Sequence, residues 1–330
     1  MTNGLFKEFD HADVPGASVM VIRRGKILFV RGFGLANLEE GVPCDARTNF
    51  RLGSVSKQFT AMAVLMLAED KQLSLREKLT EFFPEFPAWG RRITVRHLLT
   101  HRSGLVDYER VIPPGTSLPL LDQDVLRLLI RQNKTYFPPG FKYRYSNSAY
   151  ALLAMIVERR GGCTFAQFLG RRIFEPLQMR GTLAYEQGLA VVPHRAFGYA
   201  SKAGRFVRAD QSLTSSVLGD GGIYSSVTDL YRWDQALYTR RLVSRKTLEL
   251  AFKPHAQTDM LGTGYGFGWY LSTYRGLKEI WHRGSTIGFT ARLVRIPEKQ
   301  FTVIILANRQ SASIAELPHK LADKYLFCGV

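Results

Sequence analysis

Two short apolar runs near the start of the chain, at 17–22 and 27–34, are rich in β-branched and aromatic residues. The polar segment 23–26 separates them, and its Gly25 is typical of a hairpin turn. The pattern therefore predicts that the chain begins with two antiparallel strands.

From residue 55 to about 240 the apolar positions change to helical spacing. In the first segment the residues at i, i+3, i+4, i+7 and i+8 are Phe59, Met62, Ala63, Met66 and Leu67. Further helices are predicted over 95–101, 123–132, 148–160, 165–174, 228–237 and 245–252, with Thr94, Asp122, Thr164 and Ser244 as N-cap candidates. The middle of the chain is therefore predicted to be mainly helical.

The last part of the chain returns to strand patterns, at 265–272, 277–282, 290–296 and 302–308, followed by a helix over 313–327. Because a lone strand is unstable, the strands at the two ends are expected to share one antiparallel sheet. This predicts an α/β (α+β) fold: a sheet region from 1–53 and 241–330, flanked by helices, and a mainly helical region from 54–240. Ligands are expected to bind in a cleft at their junction.

The composition is that of an ordinary globular protein, with 330 residues, 45% of them apolar and 22% charged. No apolar run approaches the roughly 20 residues that cross a bilayer, and the first residues lack the pattern of a signal peptide. The chain as given is expected to be soluble: cytoplasmic as it stands, periplasmic if an N-terminal segment was removed. Cys44, Cys163 and Cys328 are far apart, so neither a zinc site nor a disulfide framework is predicted.

The formal net charge is +17, which raises nucleic acid as a partner. The arginines, however, are scattered in pairs between apolar segments and form no basic run with interleaved aromatic residues. We therefore expect a generally basic surface and no nucleic-acid partner.

Ser54 and Lys57 lie three residues apart in LGSVSKQF (52–59), at the start of the first predicted helix. Residues at this spacing share a helix face, so the two side chains can touch while Ser56 points elsewhere. A serine hydroxyl becomes a nucleophile when a base takes its proton, and a lysine enclosed by apolar neighbours can be that base. The local alternative is that Ser54 caps the helix and Lys57 is solvated.

A second candidate group lies in YRYSNSAYALLA (143–154), just before a predicted helix. Tyr145 and Asn147, two apart in an extended segment, project to the same side. Tyr145 could relay a proton between Ser54 and a leaving group, and Asn147 could position Lys57 and a substrate carbonyl. The local alternative is that Asn147 or Ser148 caps the helix and that Tyr145 packs in the core.

The third group, WHRGSTIGFTARLV (281–294), is a strand pattern interrupted by two glycines. Gly284 would let a substrate lie against the strand, and the N–H of Ser285 could donate to an oxyanion. His282 is expected to face the cleft, and Arg283 to face away from it, because side chains alternate along a strand. The local alternative is a hairpin turn with a capping histidine.

The three groups, in this order, resemble the S-x-x-K, Y-x-N and K-T-G or H-x-G motifs of the serine β-lactamase and penicillin-binding-protein-like superfamily. They are most similar to the branch with class C β-lactamases, D-aminopeptidases, D-Ala-D-Ala carboxypeptidases and β-lactamase-fold esterases. The resemblance spans roughly 14–310 and includes HLLTHRSGL (97–105), PLQMRGT (176–182) and GDGGIYSSVTDLYRW (219–233).

The resemblance implies the same fold and a reaction through an acyl-enzyme, with no metal or organic cofactor. Ser54 would attack a carbonyl, Lys57 and Tyr145 would share proton transfers, and the N–H groups of Ser54 and Ser285 would bind the oxyanion. Substrate contacts are expected from Asn147, His282, Gly284 and Ser285.

One departure concerns substrate choice, because position 282 is histidine where typical β-lactamases and carboxypeptidases have lysine. A histidine is mostly neutral at pH 7, so recognition of a substrate carboxylate is expected to be weaker. This favours an esterase or D-aminopeptidase-like activity on small esters, amides or D-amino-acid peptides. A β-lactamase, a D-Ala-D-Ala carboxypeptidase and a catalytically idle penicillin- or peptidoglycan-binding module stay as alternatives. The sequences of the cleft loops 106–121 and 183–215 do not indicate which substrate binds. The oligomeric state is left open.

Overall fold

The architecture is that of a computed structural model, which describes residues 2–186, 188–189 and 191–327. Cys328 lies outside the described residues. The strands in this part of the chain are β1 (Ala17–Arg23), β2 (Lys26–Phe33), β3 (Leu35–Asn37), β4 (Val42–Pro43), β5 (Phe50–Arg51), β6 (Leu183–Ala184), β7 (Tyr199–Lys202), β8 (Arg205–Arg208), β9 (Ile223–Ser225), β10 (Ala256–Gln257), β11 (Gly264–Tyr265), β12 (Tyr270–Tyr274), β13 (Leu277–Thr286), β14 (Phe289–Ile296) and β15 (Phe301–Ala307).

Both ends of the chain contribute to one large antiparallel sheet, as the sequence predicts. Within the described residues it has eight strands in the order β10-β11-β12-β13-β14-β15-β1-β2. The first strand pairs with the last along its whole length, from Ala17 opposite Ala307 to Arg23 opposite Phe301. The α/β fold with an antiparallel sheet is therefore confirmed, whereas the division into regions at 54 and 240 stays a prediction.

The predicted strand 265–272 is wrong, because β11 ends at Tyr265 and β12 begins at Tyr270. The turn between them is pressed against distant backbone. A Cβ on Gly266 would lie 2.2 Å from the carbonyl oxygen of Ala251, and one on Gly268 would lie 2.7 Å from that of Lys57. The break therefore follows from tertiary contacts that local sequence does not reveal.

Helices fill most of the middle of the chain, as predicted. The described helices are α1 (Lys57–Glu69), α2 (Leu79–Phe82), α3 (Val95–Leu99), α4 (Asp122–Ile130), α5 (Asn147–Gly161), α6 (Phe165–Leu169), α7 (Leu218–Gly221), α8 (Val227–Ala236), α9 (Arg245–Ala251) and α10 (Leu317–Ala322). Short 3₁₀ segments occupy Thr2–Phe9, Gly53–Ser56, Ala88–Arg92, Tyr108–Val111, Pro297–Lys299 and Ser313–Ala315, and π-helical turns occupy Gly170–Phe174 and Asp323–Phe327. The predicted helix 313–327 is thus three shorter segments. No helix in the described ranges is long and apolar enough to cross a membrane.

Three of the four predicted N-caps are confirmed: the hydroxyls of Thr94, Thr164 and Ser244 each accept the backbone N–H three residues later. Asp122 is the exception. It is the first residue of α4, and its carboxylate accepts the backbone N–H groups of Leu218 at 2.8 Å and Gly219 at 3.1 Å. Asp122 therefore anchors the start of α7.

The large sheet has an apolar core on each face. Met20 and Ile22 of β1 pack against the core that contains α1 and α5, whereas Val19 and Val21 pack against the terminal helices on the opposite face. Helix α1 is buried from Lys57 to Leu67. Its first turn therefore lies where the sheet meets the helical part of the chain.

Candidate active site

Ser54 lies in the 3₁₀ turn that leads into α1. Gly53 before it has a φ of +51°, in the left-handed region that favours glycine. The Ser54 hydroxyl does not cap the helix; its oxygen lies 3.1 Å from the Nζ atom of Lys57. The geometry thus departs from the local capping alternative and places the two side chains in contact. The Ser56 hydroxyl points elsewhere and accepts the N–H of Ile223.

Lys57 is fully buried and has three oxygen partners. Its Nζ atom lies 3.1 Å from Ser54 Oγ, 2.9 Å from Asn147 Oδ1 and 2.7 Å from the backbone carbonyl oxygen of Asp220. The rings of Tyr145 and Tyr150 also face this nitrogen, with centroids at 5.0 and 5.5 Å. These contacts hold the amine in one position at the end of the cleft.

Burial lowers the pKa of Lys57 to about 8, and the nearby carboxylates of Asp220 and Glu109 oppose part of that effect. At pH 7 roughly a tenth of the lysine is then neutral, which follows from the difference of about one unit between pH and pKa. A neutral amine of this basicity is suited to remove a proton from a hydroxyl near neutral pH.

Tyr145 lies beside Lys57, and its hydroxyl oxygen is buried without a hydrogen-bond partner among the described residues. Burial raises its pKa, and the neighbouring Ser54 hydroxyl opposes that shift. The ring packs on His101 with centroids 4.3 Å apart. Tyr145 is therefore a protonated phenol next to the proposed nucleophile and base.

Asn147 begins α5 and connects two groups of the cleft. Its Oδ1 accepts from Lys57, and its Nδ2 donates to Glu109 Oε1 at 3.0 Å. Because a carboxylate only accepts, this contact fixes which end of the amide faces the lysine. The helix is capped by neither Asn147 nor Ser148, since the hydroxyl of Ser146 accepts the N–H of Ala149.

Gly284 lies against the turn that bears Ser54, and this contact requires glycine. A Cβ at Gly284 would lie 1.9 Å from the carbonyl oxygen of Leu52 and 3.3 Å from the nitrogen of Ser54. A side chain at this position would therefore collide with the turn that bears Ser54, and contact of Gly284 with a substrate stays a prediction.

Ser285 lies on a section of β13 that has one open edge. Within the described residues β12 pairs with β13 only as far as Trp281, so 282–286 have β14 on one side only. The nitrogen of Ser285 lies 3.2 Å from the point that a Cβ on Gly53 would occupy. Its backbone is thus adjacent to the turn that bears Ser54, and its role as an oxyanion donor stays a prediction.

His282 is fully buried behind the cleft, and both of its ring nitrogens have partners. Nδ1 lies 2.8 Å from the carbonyl oxygen of Arg283, which can only accept, so Nδ1 has the proton. Nε2 then accepts from the hydroxyl of Tyr265, and the two atoms are 3.1 Å apart. Burial and the charge of Lys57 lower the pKa of His282 to about 3. The ring is therefore neutral, and its direct contact with a substrate stays a prediction.

The cleft also contains residues that the sequence analysis did not single out. It encloses about 60 Å³ and is lined by Arg51, Gly53, Ser54, Tyr108, Glu109, Asn147, Thr214, Asp220, Gly221, Ser285 and Thr286. Glu109 comes from the loop 106–121, which was expected to line the cleft but whose sequence did not indicate a substrate. Asp220 comes from GDGG (219–222), and the glycines on either side of it were the sequence signal that could have indicated a functional residue.

Two acidic groups give this cleft its electrostatic character. Burial raises the pKa of Asp220 to about 6, an effect that the charge of Lys57 opposes. The Tyr108 hydroxyl donates to the Asp220 carboxylate at 3.1 Å. Glu109 is exposed at the mouth. The buried guanidinium of Arg51 also lines the cleft, and it donates to Gln211 at 3.3 Å and to the carbonyl of Ser215.

No group of three or more His, Cys, Asp or Glu side chains within the described ranges is placed to hold a metal ion. His97, four residues before His101, accepts the backbone N–H of Thr94 through its Nδ1 at 3.2 Å.

Known proteins are similar to this chain over most of its length. The chain is 32% identical to "Penicillin-binding protein 4*" of Bacillus subtilis, over 98% of this chain and 75% of that one. It is 28% identical to a D-aminopeptidase of Cereibacter sphaeroides, covering 93% of this chain and 59% of the relative.

Solved structures of related proteins have the same fold. The octameric penicillin-binding protein homologue of Pyrococcus abyssi matches with a TM-score of 0.88 and 27% identity, over 98% of this chain and 76% of that one. The D-amino acid amidase of Ochrobactrum anthropi SV3 matches with a TM-score of 0.82 and 25% identity, over 99% of both chains. The family model described as "Beta-lactamase" matches residues 2–325. The chain therefore belongs to the Beta-lactamase family, together with penicillin-binding proteins and D-aminopeptidases.

Proposed function

We propose that this protein is a serine hydrolase in which Ser54 is acylated by its substrate and Lys57 is the base. The observation that supports this most directly is the set of partners around Lys57. Two of the three, the amide oxygen of Asn147 and the carbonyl oxygen of Asp220, can only accept hydrogen bonds. A neutral amine has two hydrogens and one lone pair, so donating to both leaves its lone pair for the Ser54 hydroxyl.

The reaction then proceeds through two acyl transfers. Ser54 Oγ attacks the carbonyl carbon as its proton passes to Lys57, and the N–H groups of Ser54 and Ser285 stabilise the oxyanion. When the bond to the leaving group breaks, Tyr145 protonates that group and recovers its proton from Lys57. Water, activated through the same residues, then attacks the acyl-enzyme and releases the acid and Ser54.

The exposed carboxylate of Glu109 favours a substrate with an amino group, because the guanidinium of Arg51 is buried and already donates to Gln211 and Ser215. Glu109 is exposed at the mouth, and its contact with Asn147 places a carboxylate oxygen beside the base. His282 is neutral and buried, so it supplies no cation for a substrate carboxylate. We therefore propose esters and amides of D-amino acids with a free amino group, whose ammonium pairs with Glu109. The D-aminopeptidase and D-amino acid amidase relatives support this choice.

Chromogenic substrates test this proposal directly. D-alanyl p-nitroanilide is compared with its N-acetyl derivative, which lacks the ammonium, and with p-nitrophenyl acetate, p-nitrophenyl butyrate and nitrocefin. We expect hydrolysis of the first at least tenfold faster than that of the N-acetyl form, and loss of every activity in Ser54→Ala.

Three outcomes would contradict the proposal. Full activity of Ser54→Ala would exclude the mechanism. Efficient nitrocefin turnover with negligible cleavage of esters and amides would instead identify a β-lactamase. Stable labelling of Ser54 by a fluorescent penicillin without any turnover would identify a binding module.

A further inference from the structure

We infer that His101 is the residue that positions Tyr145 for proton transfer, an inference that rests on the role of Tyr145 in the proposed function. His101 follows α3 by two residues and does not touch the cleft. Its side chain is fully buried, and its φ of +56° is in the left-handed region that non-glycine residues seldom adopt. Such backbone strain persists only where surrounding contacts impose it.

His101 holds the chain on both sides of Tyr145. Its carbonyl oxygen accepts the backbone N–H of Arg144 at 2.9 Å, and its ring Nδ1 accepts the backbone N–H of Ser146 at 3.1 Å. Its ring also packs on the Tyr145 ring at 4.3 Å. The backbone N–H groups of the residues before and after the tyrosine, and the tyrosine ring itself, are therefore all held by one residue.

The hydrogen bond to Ser146 also fixes the state of the imidazole. Because Nδ1 accepts, the single proton of the neutral ring is on Nε2, which is buried without a partner in the described part of the chain. Burial and the charge of Lys57 lower the pKa of His101, so the ring stays neutral. The acceptor that holds Ser146 is thus present throughout the neutral pH range.

Displacement of Ser146 would move more than one group of the site. The Ser146 hydroxyl caps α5 through the N–H of Ala149 at 3.1 Å. The next residue is Asn147, which accepts from Lys57. His101 therefore stabilises the position of Tyr145 directly and that of Asn147 through one intervening residue.

Two substitutions separate the hydrogen bond from the packing. His101→Phe keeps a ring but leaves the N–H of Ser146 without an acceptor. His101→Asn loses the ring but keeps an oxygen near the position of Nδ1, and asparagine tolerates a left-handed φ well. With p-nitrophenyl butyrate as substrate, we expect His101→Phe to lower kcat ten- to a hundredfold, because a small misplacement of a catalytic group has such an effect. KM should change less than twofold, and His101→Asn should retain more activity than His101→Phe.

A double-mutant cycle shows whether the effect passes through Tyr145. We expect His101→Phe to lower kcat less than twofold further in a Tyr145→Phe background. An equal loss in both backgrounds, or wild-type kcat for His101→Phe alone, would overturn the inference.

Amide hydrogen exchange tests the clamp without relying on activity. The amide of Ser146 should exchange slowly in the wild type and in His101→Asn, and at least tenfold faster in His101→Phe. Unchanged protection in His101→Phe would refute the clamp. If Ser54→Ala were fully active, the proposed function would fail, while the exchange result would still decide whether His101 holds Ser146.

Discussion

The Nζ atom of Lys57 lies 2.7 Å from the carbonyl oxygen of Asp220, although the two residues are 163 positions apart in the chain. The backbone of Asp220 therefore orients the proposed base, Lys57, while its carboxylate acts on that amine only through charge. A substitution of the side chain can separate these two effects, because it leaves the carbonyl in place.

Replacing Asp220 by asparagine is expected to move the acidic limb of the pH–activity profile to lower pH. The carboxylate raises the pKa of Lys57 against the lowering effect of burial, so its removal lowers that pKa further below about 8. Since the neutral amine is the active form, kcat/KM would then rise at a lower pH than in the wild type. The measurement is the pH dependence of p-nitrophenyl butyrate hydrolysis.

Glu109→Gln is the matched variant, because Glu109 has the second-largest charge effect on Lys57. It should shift the profile in the same direction by a smaller amount. A shift of either profile to higher pH would contradict the assignment of Lys57 as the base.

Gly284→Ala is expected to lower both stability and activity. The added Cβ would lie 1.9 Å from the carbonyl oxygen of Leu52, so β13 and the turn that bears Ser54 would have to separate. Overpacking of this kind typically costs about 1–3 kcal/mol. Urea unfolding and initial rates measure the two effects.

Gly170→Ala provides the control, since the nearest atom to its new Cβ would be the Glu175 carboxylate at 3.9 Å. We expect that variant to be as stable as the wild type. Equal stability of both variants would show that β13 can move away from the turn without cost.

His282 should make the free energy of unfolding fall as the solution is acidified. The pKa of the buried ring is about 3, against about 6.5 in an unfolded chain, so between these values only the unfolded state binds the proton. The contribution of His282 to the free energy of unfolding is fully present above about pH 6.5. Between about pH 6.5 and 3 it falls by about 1.4 kcal/mol for each pH unit.

His282→Gln should therefore show a shallower loss of stability between pH 6.5 and 4 than the wild type, as followed by urea unfolding. Some slope should remain, because burial also lowers the pKa of His101. An identical slope in the two proteins would mean that His282 is not buried as a neutral ring.

The buried ion pair between Arg295 and Asp234 should contribute strongly to stability. Asp234 Oδ1 accepts from Arg295 Nε at 2.7 Å and from the Thr302 hydroxyl at 2.8 Å, and both charged side chains are 1% exposed. Asp234→Asn leaves the guanidinium charge buried without its counter-ion, which typically costs about 3–5 kcal/mol.

Glu249→Gln removes an exposed partner of Arg245 and is the control. It should leave the urea midpoint unchanged. A midpoint for Asp234→Asn that matches the control would contradict the assigned role of the buried pair.

Sequence patterns predicted those parts of the site that are local in the chain. Ser54 and Lys57 are one helical turn apart, so their contact follows from spacing alone. The pairing of both chain ends in one sheet follows from the need of every strand for a partner. The sequence pattern was thus sufficient to predict features that depend on short-range geometry or on the need of each strand for a partner.

Features that depend on long-range contacts were missed. Asp220 reaches Lys57 through a backbone carbonyl, which every residue has, so its identity gave no signal. The close approach of Gly284 to the backbone of Leu52 could not be foreseen. The hydrogen bond between His282 and the hydroxyl of Tyr265 was also missed, because Tyr265 belongs to a strand whose bounds were predicted wrongly.

Two glycines that contact the segment 52–57 have a consequence for engineering. Gly284 fits against the backbone of Leu52, and Gly268 fits against that of Lys57, so both ends of the segment 52–57 have backbone packed directly against them. Side-chain changes there would disturb the catalytic geometry before they altered substrate choice. New specificities should therefore be sought in the loop that bears Glu109 and in the segment around Thr214, with residues 52–57 left unchanged.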